Sequence, residues 1–458
     1  MSAAVDIADG QQTWKVFFAS SIGTFFVGGL LALVAYDDGH ARIGIREGFL
    51  LTTLSWVVIT AFAAMPFVGH GFSFTDSYFE AMSGLTTTGS TIIPNLDKQP
   101  RGILLWRAIL CGFGGLGMIV IAIIMLPFLR VGGMQLFQTE SSDKSEKVLP
   151  RAFQLVAATA GVYLVLIVAC AVVYAALGMT FFDAVCHALP TLATGGYSSH
   201  DDSFGFFKSP SIEWAGIVFM ALGAMPFVVF IKVFAGQPVT LWRDVQVRGF
   251  VTFLLAVSLM LGAWLSLTSG RPFLDAFRSA LFNVTSIVTT TGFASEDYSK
   301  WGPFAVGLFF LLTFVGGCSG STSGGIKIYR LQVTSILTRS HFLHLVSPNR
   351  IVMLAYNGRR LPEDVPFSVV AFLAIYMATV GLFTVVLSAF GLDLVTALTG
   401  AATALSNVGP GLGEIIGPAG NFSSLPPLAK WVLSLAMMLG RLELFTVLVL
   451  LRPEFWRN

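Results

Sequence analysis

Long stretches without charged residues alternate with short polar segments along almost the whole chain. The first covers residues 16–36, which is about the length that a membrane-spanning helix needs. Some of the later stretches are too long for one straight span, so part of each is expected to be re-entrant or interfacial. All the later stretches together cover residues 48–75, 108–129, 152–182, 214–231, 249–270, 302–326, 365–392 and, interrupted by Arg441 and Glu443, 431–451. The pattern predicts an all-α polytopic membrane protein with about nine transmembrane helices.

A phrase rich in threonine and glycine recurs four times between these stretches. It reads Gly-Leu-Thr-Thr-Thr-Gly at 84–89, Leu-Ala-Thr-Gly-Gly at 192–196, Val-Thr-Thr-Thr-Gly at 288–292 and Leu-Ser-Asn-Val-Gly at 405–409. The final glycines lie roughly one hundred residues apart, which indicates a fourfold internal repeat.

Each phrase has the same surroundings. A spanning helix precedes it, followed by a short segment that an aspartate opens, and aspartate is a good N-cap. A loop and a second spanning helix follow the phrase. The four aspartates are Asp76, Asp183, Asp275 and Asp393. We therefore expect four pseudo-symmetric units of helix, half-helix, pore loop and helix around a central pore. The predicted divisions are an N-terminal segment with one helix at 1–47 and pore repeats at 48–129, 152–235, 246–344 and 365–452.

Composition and charge support a membrane protein. Hydrophobic residues make up 55% of the chain and charged residues 11%, whereas a soluble domain has about 25% charged residues. The net charge of +2 is too small to suggest a nucleic-acid partner. Most Lys and Arg residues lie in loops opposite the glycine phrases, so the phrases and the N-terminus are expected outside and the C-terminus in the cytoplasm.

Extended backbone inside a membrane is tolerated only where it is buried in protein or lines a watery cavity. Four such phrases around one axis could replace the hydration shell of a cation with carbonyl oxygens, and each half-helix would direct its negative C-terminal end at the same point. The alternative is that the small residues only let helices pack closely. The candidate potassium-coordinating residues are Thr87, Thr88, Gly89, Thr194, Gly195, Gly196, Thr290, Thr291, Gly292, Asn407, Val408 and Gly409.

Carboxylates follow every phrase and would raise the local cation concentration at an outer mouth. Ordinary solvated loops would carry such residues equally well. They are Asp97, Asp201, Asp202, Glu296, Asp297 and Glu414.

The segment from Gly316 to Gly325 contains five glycines and four hydroxyl residues. Each glycine costs a helix about 1 kcal/mol relative to alanine, so the segment is expected to unwind in mid-membrane below the phrases. We interpret residues 316–327 as an intramembrane gate loop; the alternative is a flexible cytoplasmic loop. The candidate gate residues are Gly316, Gly317, Gly320, Gly324, Gly325, Lys327 and Arg441.

Arg441 lies inside the last apolar stretch. An intramembrane charge costs at least about 2.5 kcal/mol and is a functional-site hypothesis by default. Glu443, two residues on, faces another side of a helix, so the two charges are not expected to cancel. A cation over the inner pore would repel permeating ions; the alternative is a structural partner on a neighbouring helix.

In combination, these motifs resemble the Trk/Ktr/HKT superfamily of potassium transporters over nearly the whole chain after about residue 40. The matching stretches are 84–91, 106–127, 193–198, 289–298, 316–327, 406–413 and 440–457. The amino-acid sequences of the four phrases fit the Trk branch better than the Ktr branch. Trk members usually begin with two spanning helices before the first repeat, whereas this chain has one. Its N-terminus is therefore outside, or its start is truncated or misassigned. The Ktr membrane subunit lacks the extra pair, so the Ktr branch stays an alternative.

The resemblance implies potassium uptake through a selective, channel-like pore in the bacterial inner membrane, with potassium as the transported ion and no nucleotide on this chain. It also implies a homodimer in membrane lipid, a cytoplasmic nucleotide-binding regulatory ring of the TrkA type, and a closed pore obstructed by the gate loop and Arg441. Glycine at all four final positions favours potassium over sodium.

Two further alternatives remain. A symporter coupled to protons or sodium is the closer one, although no chain of carboxylates or histidines crosses the spans as a proton relay. A membrane enzyme is not expected, because the sequence has no Ser/His/Asp set, HExxH motif or P-loop.

Overall fold

The computed structural model describes residues 1–36, 44–125, 148–362 and 364–457. Helices dominate the described residues, whose sheet is a single two-stranded hairpin. Two helices precede the first repeat, α1 (Ser2–Ala8) and α2 (Trp14–Val34). Repeat 1 contains α3 (Ile45–Ala63), α4 (Met65–Gly69), α5 (Phe74–Leu85) and α6 (Arg101–Met125).

The other repeats follow the same order of elements. Repeat 2 contains α7 (Val148–Ala176), α8 (Phe181–Ala193), α9 (Pro210–Gly223) and α10 (Phe227–Phe234). After the short α11 (Val239–Arg243), repeat 3 contains α12 (Val245–Ser269), α13 (Phe273–Val288), α14 (Pro303–Leu312) and α15 (Ile328–Val346). The hairpin of β1 (Ala355–Tyr356) and β2 (Arg359–Arg360) leads to repeat 4, with α16 (Asp364–Ala389), α17 (Leu394–Ser406), α18 (Pro427–Arg441), α19 (Phe445–Leu448) and α20 (Pro453–Arg457). Four short 3-10 helices cover Leu96–Lys98, Ser203–Phe207, Tyr298–Trp301 and Val449–Leu451.

Within the described ranges, five helices are long and apolar enough to cross a membrane, and two bent pairs reach that length if each pair is one span. The pairs are α9 with α10, bent by 100°, and α18 with the helical turns up to Leu451, bent by 105°. The two other predicted spans correspond to α6 and to α14 with the irregular segment after it. The chain is therefore a multi-pass, all-α membrane protein.

The half-helices α5, α8, α13 and α17 form the centre of the molecule. All residues of α5 from Ser77 to Leu85 are buried, although several are polar. Around them, one of the two largest apolar clusters comes mainly from repeats 2 and 3 and the other mainly from repeats 1 and 4. The long first helices of the repeats instead leave most of their side chains at the surface, where lipid is their solvent.

The caps of the half-helices differ from the prediction. Only Asp393 is an N-cap, accepting the backbone N–H of Thr396 at 3.1 Å. In α5 and α8 the N-caps are Ser73 and Thr180, and the predicted aspartates lie three residues further on and accept the hydroxyl protons of those caps. The predicted N-caps are wrong because the caps are reciprocal, with the hydroxyl and the carboxylate supporting each other across the first turn. In α13, Asp275 likewise lies within the first turn, after Pro272.

The N-terminal helix α1 lies at the same end of the molecule as the glycine phrases. The buried Asp6 accepts the backbone N–H of Gly102 at 2.8 Å, at the start of α6. Asp9 pairs with Arg101 at 3.1 Å. The structure thus puts the N-terminus on the side of the phrases, as the charge distribution predicts.

Candidate ion pore

The four glycine phrases share an unusual backbone conformation. The residue two positions before each final glycine is in the left-handed region, which non-glycine residues seldom adopt. Its φ is 51° at Thr87, 53° at Thr194, 58° at Thr290 and 55° at Asn407. The final glycines also have positive φ, 87° at Gly89, 63° at Gly196, 87° at Gly292 and 109° at Gly409. The phrases are therefore equivalent in structure as well as in sequence.

The four phrases also form a closed ring. A β-carbon added at each final glycine would collide with a backbone carbonyl oxygen of the next phrase. The colliding pairs are Gly89 with Gly195, Gly196 with Thr291, Gly292 with Val408, and Gly409 with Thr88. The order of contacts passes through repeats 1, 2, 3 and 4 and returns to repeat 1. All four phrases consequently surround one axis, and the absence of a side chain at the glycines permits their close approach.

The half-helices converge on this ring, because each phrase begins where a half-helix ends. Their last residues are Leu85, Ala193, Val288 and Ser406. The C-terminal end of a helix carries a partial negative charge. Four such ends around one axis favour a cation without any charged side chain in the ring.

Side-chain hydrogen bonds hold the phrases. In repeats 1 and 3, paired threonine hydroxyls lie 2.8 Å apart at Thr86 and Thr88 and 2.7 Å apart at Thr289 and Thr291. In repeat 4, Asn407 instead donates from Nδ2 to Thr88 Oγ1 at 3.0 Å and to the carbonyl oxygen of Met437 at 2.8 Å. Between repeats, Ser90 donates its hydroxyl proton to the carbonyl oxygen of Gly409 at 2.8 Å. These side-chain hydrogen bonds connect repeat 4 to repeat 1.

A cavity of about 70 Å³ lies over the ring on its outer side, lined by all four final glycines. Of the predicted carboxylates, only Asp201 lines this cavity, and it accepts the backbone N–H of Leu96 at 3.0 Å. Asp97 pairs with His200 at 2.5 Å, and Glu296 pairs with Arg271 at 2.7 Å. Asp297 accepts the backbone N–H of Ser299. Asp202 and Glu414 are exposed, as in ordinary solvated loops.

A polar residue nine positions before the final glycine supports three of the four phrases from behind. Glu80 accepts the backbone N–H of Ile92 at 2.8 Å, His187 bonds Ser198 Oγ at 2.9 Å, and Asn283 donates to Ser295 Oγ at 2.9 Å. The equivalent residue of repeat 4 is glycine, packed against Ile416. The sequence analysis did not identify these residues, although a polar residue at the same position of three half-helices could have predicted them.

Repeat 1 adds a buried ion pair to this support. Glu80 and Arg107 are 2.7 Å apart and at most 1% exposed. Arg107 also donates to the carbonyl oxygen of Ser198 at 2.8 Å, and its guanidinium lies 4.1 Å from the ring centre of Tyr197. The Tyr197 hydroxyl donates to the carbonyl oxygen of Glu80 at 2.8 Å. This network joins repeat 1 to the segment just after the second phrase.

The predicted gate loop is irregular, as the glycine content indicates. Helix α14 ends at Leu312 and α15 begins at Ile328. Between them, Gly316 donates its N–H to the carbonyl oxygen of Ile326 at 2.8 Å, and Gly317 donates to Ser323 Oγ at 2.8 Å. Lys327 bonds the carbonyl oxygen of Ser323. Residues 316–319 and 321–324 are buried, unlike those of an exposed cytoplasmic loop.

The loop directly contacts the ring formed by the four phrases. The N–H of Gly324 donates to Thr290 Oγ1 at 2.6 Å, and Thr290 and Ser323 hydroxyls are 3.1 Å apart. Thr322 donates to the carbonyl oxygen of Leu192, the first residue of the second phrase, at 2.9 Å. A β-carbon at Gly324 would collide with the carbonyl oxygen of Ser406, in the fourth phrase. The loop therefore contacts three repeats on the inner side of the ring.

The two remaining glycines of the loop lie at its turns. Gly320, with φ of 77°, accepts the backbone N–H of Phe227 at 3.0 Å, and Gly325 has φ of 64°.

Arg441 is 1% exposed and ends α18. Its Nη1 donates to the carbonyl oxygen of Thr322 at 2.7 Å, and Nη2 donates to that of Gly114 at 3.3 Å. None of the ion pairs among the described residues includes it; Glu443 pairs instead with Arg330 at 2.6 Å. As predicted, the two charges do not cancel, and the partners of Arg441 are backbone carbonyls, including one of the gate loop.

Below the ring the cavity is narrow. The cavity there, lined by Gly324, Lys327, Arg330, Arg441 and Glu443 among others, measures about 10 Å³. A cavity needs roughly 10–15 Å³ to hold one water molecule.

Known proteins share this architecture. The TrkH family, described as cation transport proteins, matches residues 13–457. The Trk system potassium uptake protein TrkI of Halomonas elongata is 49% identical over 90% of this chain and 84% of its own. TrkH of Escherichia coli K12 is 36% identical over 95% of this chain and 96% of its own.

The crystal structure of the potassium transporter TrkH from Vibrio parahaemolyticus superposes with a TM-score of 0.91. It shares 34% identity and covers 100% of this chain and 95% of the crystallised one. These similarities confirm the Trk branch of the resemblance and a location in the bacterial inner membrane. The chain belongs to the TrkH family of cation transport proteins.

Proposed function

We propose that this protein takes up potassium through a selective, channel-like pore formed by its four pore repeats. The closed ring of glycine–carbonyl contacts carries the proposal. Backbone oxygens on one axis can replace the hydration shell of a cation, and the converging half-helix ends stabilise its charge. The family's cation transport and relatives named potassium uptake proteins point to the same ion.

The coordinating groups in this proposal are the backbone oxygens of the three residues that end each phrase. Those of repeats 1 and 2 are Thr87, Thr88, Gly89, Thr194, Gly195 and Gly196, and those of repeats 3 and 4 are Thr290, Thr291, Gly292, Asn407, Val408 and Gly409. Because glycine ends every phrase, no hydroxyl side chain replaces a carbonyl at that level, and we expect potassium to be preferred over sodium.

The membrane potential is the proposed driving force. Moving one charge through 100 mV is worth about 2.3 kcal/mol, which suffices for accumulation without ATP hydrolysis on this chain. The gate consists of residues 316–327 with Arg441, and the narrow inner cavity supports a closed state. Opening is assigned to a cytoplasmic nucleotide-binding subunit of the TrkA type, and the assembly to a homodimer with one pore in each subunit.

Ion flux into liposomes that contain only the purified chain tests this function. We expect potassium and rubidium to enter faster than sodium, in a direction set by an imposed voltage alone. Uptake that stops at zero proton and sodium gradients would favour the alternative, a symporter coupled to one of those ions. Equal fluxes of sodium and potassium would contradict the proposed selectivity.

A further inference from the structure

The gate loop is attached to the ring of phrases through atoms that a coordinated ion would not use. The N–H of Gly324 donates to Thr290 Oγ1 at 2.6 Å, and the Ser323 hydroxyl lies 3.1 Å from the same oxygen. Thr194 Oγ1 donates to Thr322 Oγ1 at 3.3 Å. Among the described residues, no hydrogen bond joins the loop to a backbone oxygen of the residues proposed to coordinate potassium. The loop and an ion on the axis therefore do not compete for the same atoms.

The attachment is uneven around the ring. The equivalent left-handed positions of the four phrases are Thr87, Thr194, Thr290 and Asn407. The loop forms hydrogen bonds with the side chains of only the two from repeats 2 and 3. Within the part of the chain that the structure describes, the buried Thr87 hydroxyl has no hydrogen-bond partner. The Asn407 amide donates to Thr88 Oγ1 and to a carbonyl oxygen of α18 instead. The contacts at Thr290 are therefore a property of the loop and not of the fourfold repeat.

The loop supports a conformation that the backbone of the third phrase does not favour by itself. The φ of Thr290 is 58°, in the left-handed region that β-branched residues rarely occupy. Such a conformation persists only where the surroundings hold it, and here two groups of the loop bond the Thr290 side chain. The proposed coordination uses backbone oxygens of the same segment, so it depends on the same conformation. Two contacts that stabilise one conformation favour each other.

We propose that Thr290 is a positioning residue that couples the gate loop to ion binding in the ring. The attached loop holds the third phrase in its coordinating conformation, and an ion that fits the ring holds the loop in place. The coupling rests on the proposed pore. Potassium in the ring delays detachment of the loop more than sodium does, and a loop that no longer bonds Thr290 leaves the ring less selective.

Cys318 provides a probe within the loop. Its side chain is fully buried, so labelling by N-ethylmaleimide requires local opening. Labelling of the purified full-length chain is followed by peptide mass spectrometry in potassium chloride and in sodium chloride of equal concentration. Cys170, buried in α7, reports global unfolding in the same digest. In the wild type, Cys318 should be labelled more slowly in potassium than in sodium.

Thr290→Val removes the hydroxyl and nearly conserves the shape of the side chain. A buried hydrogen bond changes an equilibrium constant about two- to tenfold, so Cys318 should be labelled faster by about that factor, and equally in both salts. The matched control is Thr285→Val in α13, because Thr285 is also fully buried and its hydroxyl has no hydrogen-bond partner among the described residues. That variant should be labelled like the wild type. Thr290→Ser keeps a hydroxyl and should restore slow labelling in potassium.

A variant of the loop tests the opposite direction of the coupling. Ser323→Ala removes one contact with Thr290, and the acceptor of the Gly317 N–H, without changing any phrase. The ratio of potassium to sodium flux into liposomes should fall by about two- to tenfold. Ser321→Ala removes a buried hydroxyl that bonds within the loop, to the carbonyl oxygen of Cys318 at 2.7 Å, and should keep the flux ratio of the wild type. Thermal melting of each variant checks folding.

Equal labelling of wild-type Cys318 in the two salts would overturn the coupling, and so would a folded Thr290→Val protein that is labelled like Thr285→Val. Faster labelling in potassium would mean that the ion and the loop compete, which also overturns it. An unchanged flux ratio in a folded Ser323→Ala protein would contradict the role of the loop in selectivity. A wild type that shows the difference in labelling but conducts no potassium would contradict only the proposed function.

Discussion

Arg441 Nη1 donates a hydrogen bond of 2.7 Å to the carbonyl oxygen of Thr322 in the gate loop. The arginine comes from repeat 4, the threonine from repeat 3, and the second acceptor of the guanidinium, Gly114, from repeat 1. The buried guanidinium therefore connects three repeats directly below the ring of phrases. In the proposed pore, this guanidinium would be both a steric and an electrostatic obstacle to a cation leaving the ring on the inner side.

Replacing Arg441 by glutamine should increase the passive flux of potassium. The substitution removes the charge and weakens the attachment of Thr322, so the closed arrangement loses stability relative to the open one. Rubidium uptake into liposomes at fixed voltage measures the change, which we expect to be severalfold. Arg452→Gln, at an exposed arginine near the C-terminus, serves as the control and should leave the flux unchanged. An Arg441 variant that is folded but conducts no faster would show that this residue does not close the pore.

Gly89→Ser should lower the selectivity for potassium over sodium. A β-carbon at Gly89 would collide with the carbonyl oxygen of Gly195, so one oxygen of the ring must move. Gly178→Ser is a matched control, because Gly178 also has positive φ, 110°, but no neighbouring atom within 4 Å of an added β-carbon. The ratio of potassium to sodium flux should fall only in the first variant. Unchanged selectivity in a folded Gly89→Ser protein would remove the first phrase from the filter.

Arg107→Leu should destabilise the protein strongly, because it leaves the buried Glu80 carboxylate without its partner. Loss of one member of a buried ion pair costs about 3–5 kcal/mol. Arg101→Leu, on the same helix, breaks the partly exposed pair with Asp9 and should cost no more than about 1 kcal/mol. Melting temperatures in detergent compare the two variants. Similar shifts in both would mean that the Glu80 network contributes little to holding the ring.

Flux should depend on external pH through His200 at the outer mouth. Partial burial of the His200 imidazole opposes its positive charge, but contacts with Asp183 and Asp97 outweigh this and hold the pKa of His200 above its usual value. The imidazole is therefore charged below that raised pKa and neutral above it. Its contribution to stability is complete below the unfolded pKa of about 6.5 and is lost as the pH rises through the folded value.

The same titration changes the charge at the mouth. As the pH falls through the raised pKa, His200 gains a positive charge next to the outer cavity that it lines, and the attraction of cations to the ring decreases. We expect potassium influx to fall in this range for the wild type and to be nearly constant for His200→Gln. Identical pH profiles of the two proteins would exclude His200 as the titrating group.

The sequence predicts the pore because its main determinants are local. Glycine at the phrase ends and a half-helix before each phrase are both set within about twenty residues, and fourfold repetition makes them visible. The left-handed backbone at Thr87 and its equivalents was not predicted. The unwinding of residues 316–325 follows from helix propensity alone. The true N-caps are also determined locally. Ser73 and Thr180 lie three residues before the aspartates and form with them a capping box that the sequence could have predicted.

Contacts between helices that are distant in sequence could not be predicted from the sequence. The pairing of Glu80 with Arg107 depends on how α5 packs against α6, and the bond from Arg441 to Thr322 joins residues more than a hundred positions apart. The distribution of acidic residues is a further example. Their number around the phrases suggested an acidic mouth, yet Asp97 and Glu296 are paired with His200 and Arg271, and only Asp201 reaches the cavity over the ring.

Diffraction from crystals grown in thallium, a potassium analogue with strong anomalous scattering, tests the central claim most directly. The ring of Gly89, Gly196, Gly292 and Gly409 predicts anomalous peaks on the axis that the four phrases surround, within coordination distance of their carbonyl oxygens and weakened by exchange into sodium. Thallium bound elsewhere in the protein, with an empty axis, would contradict the account.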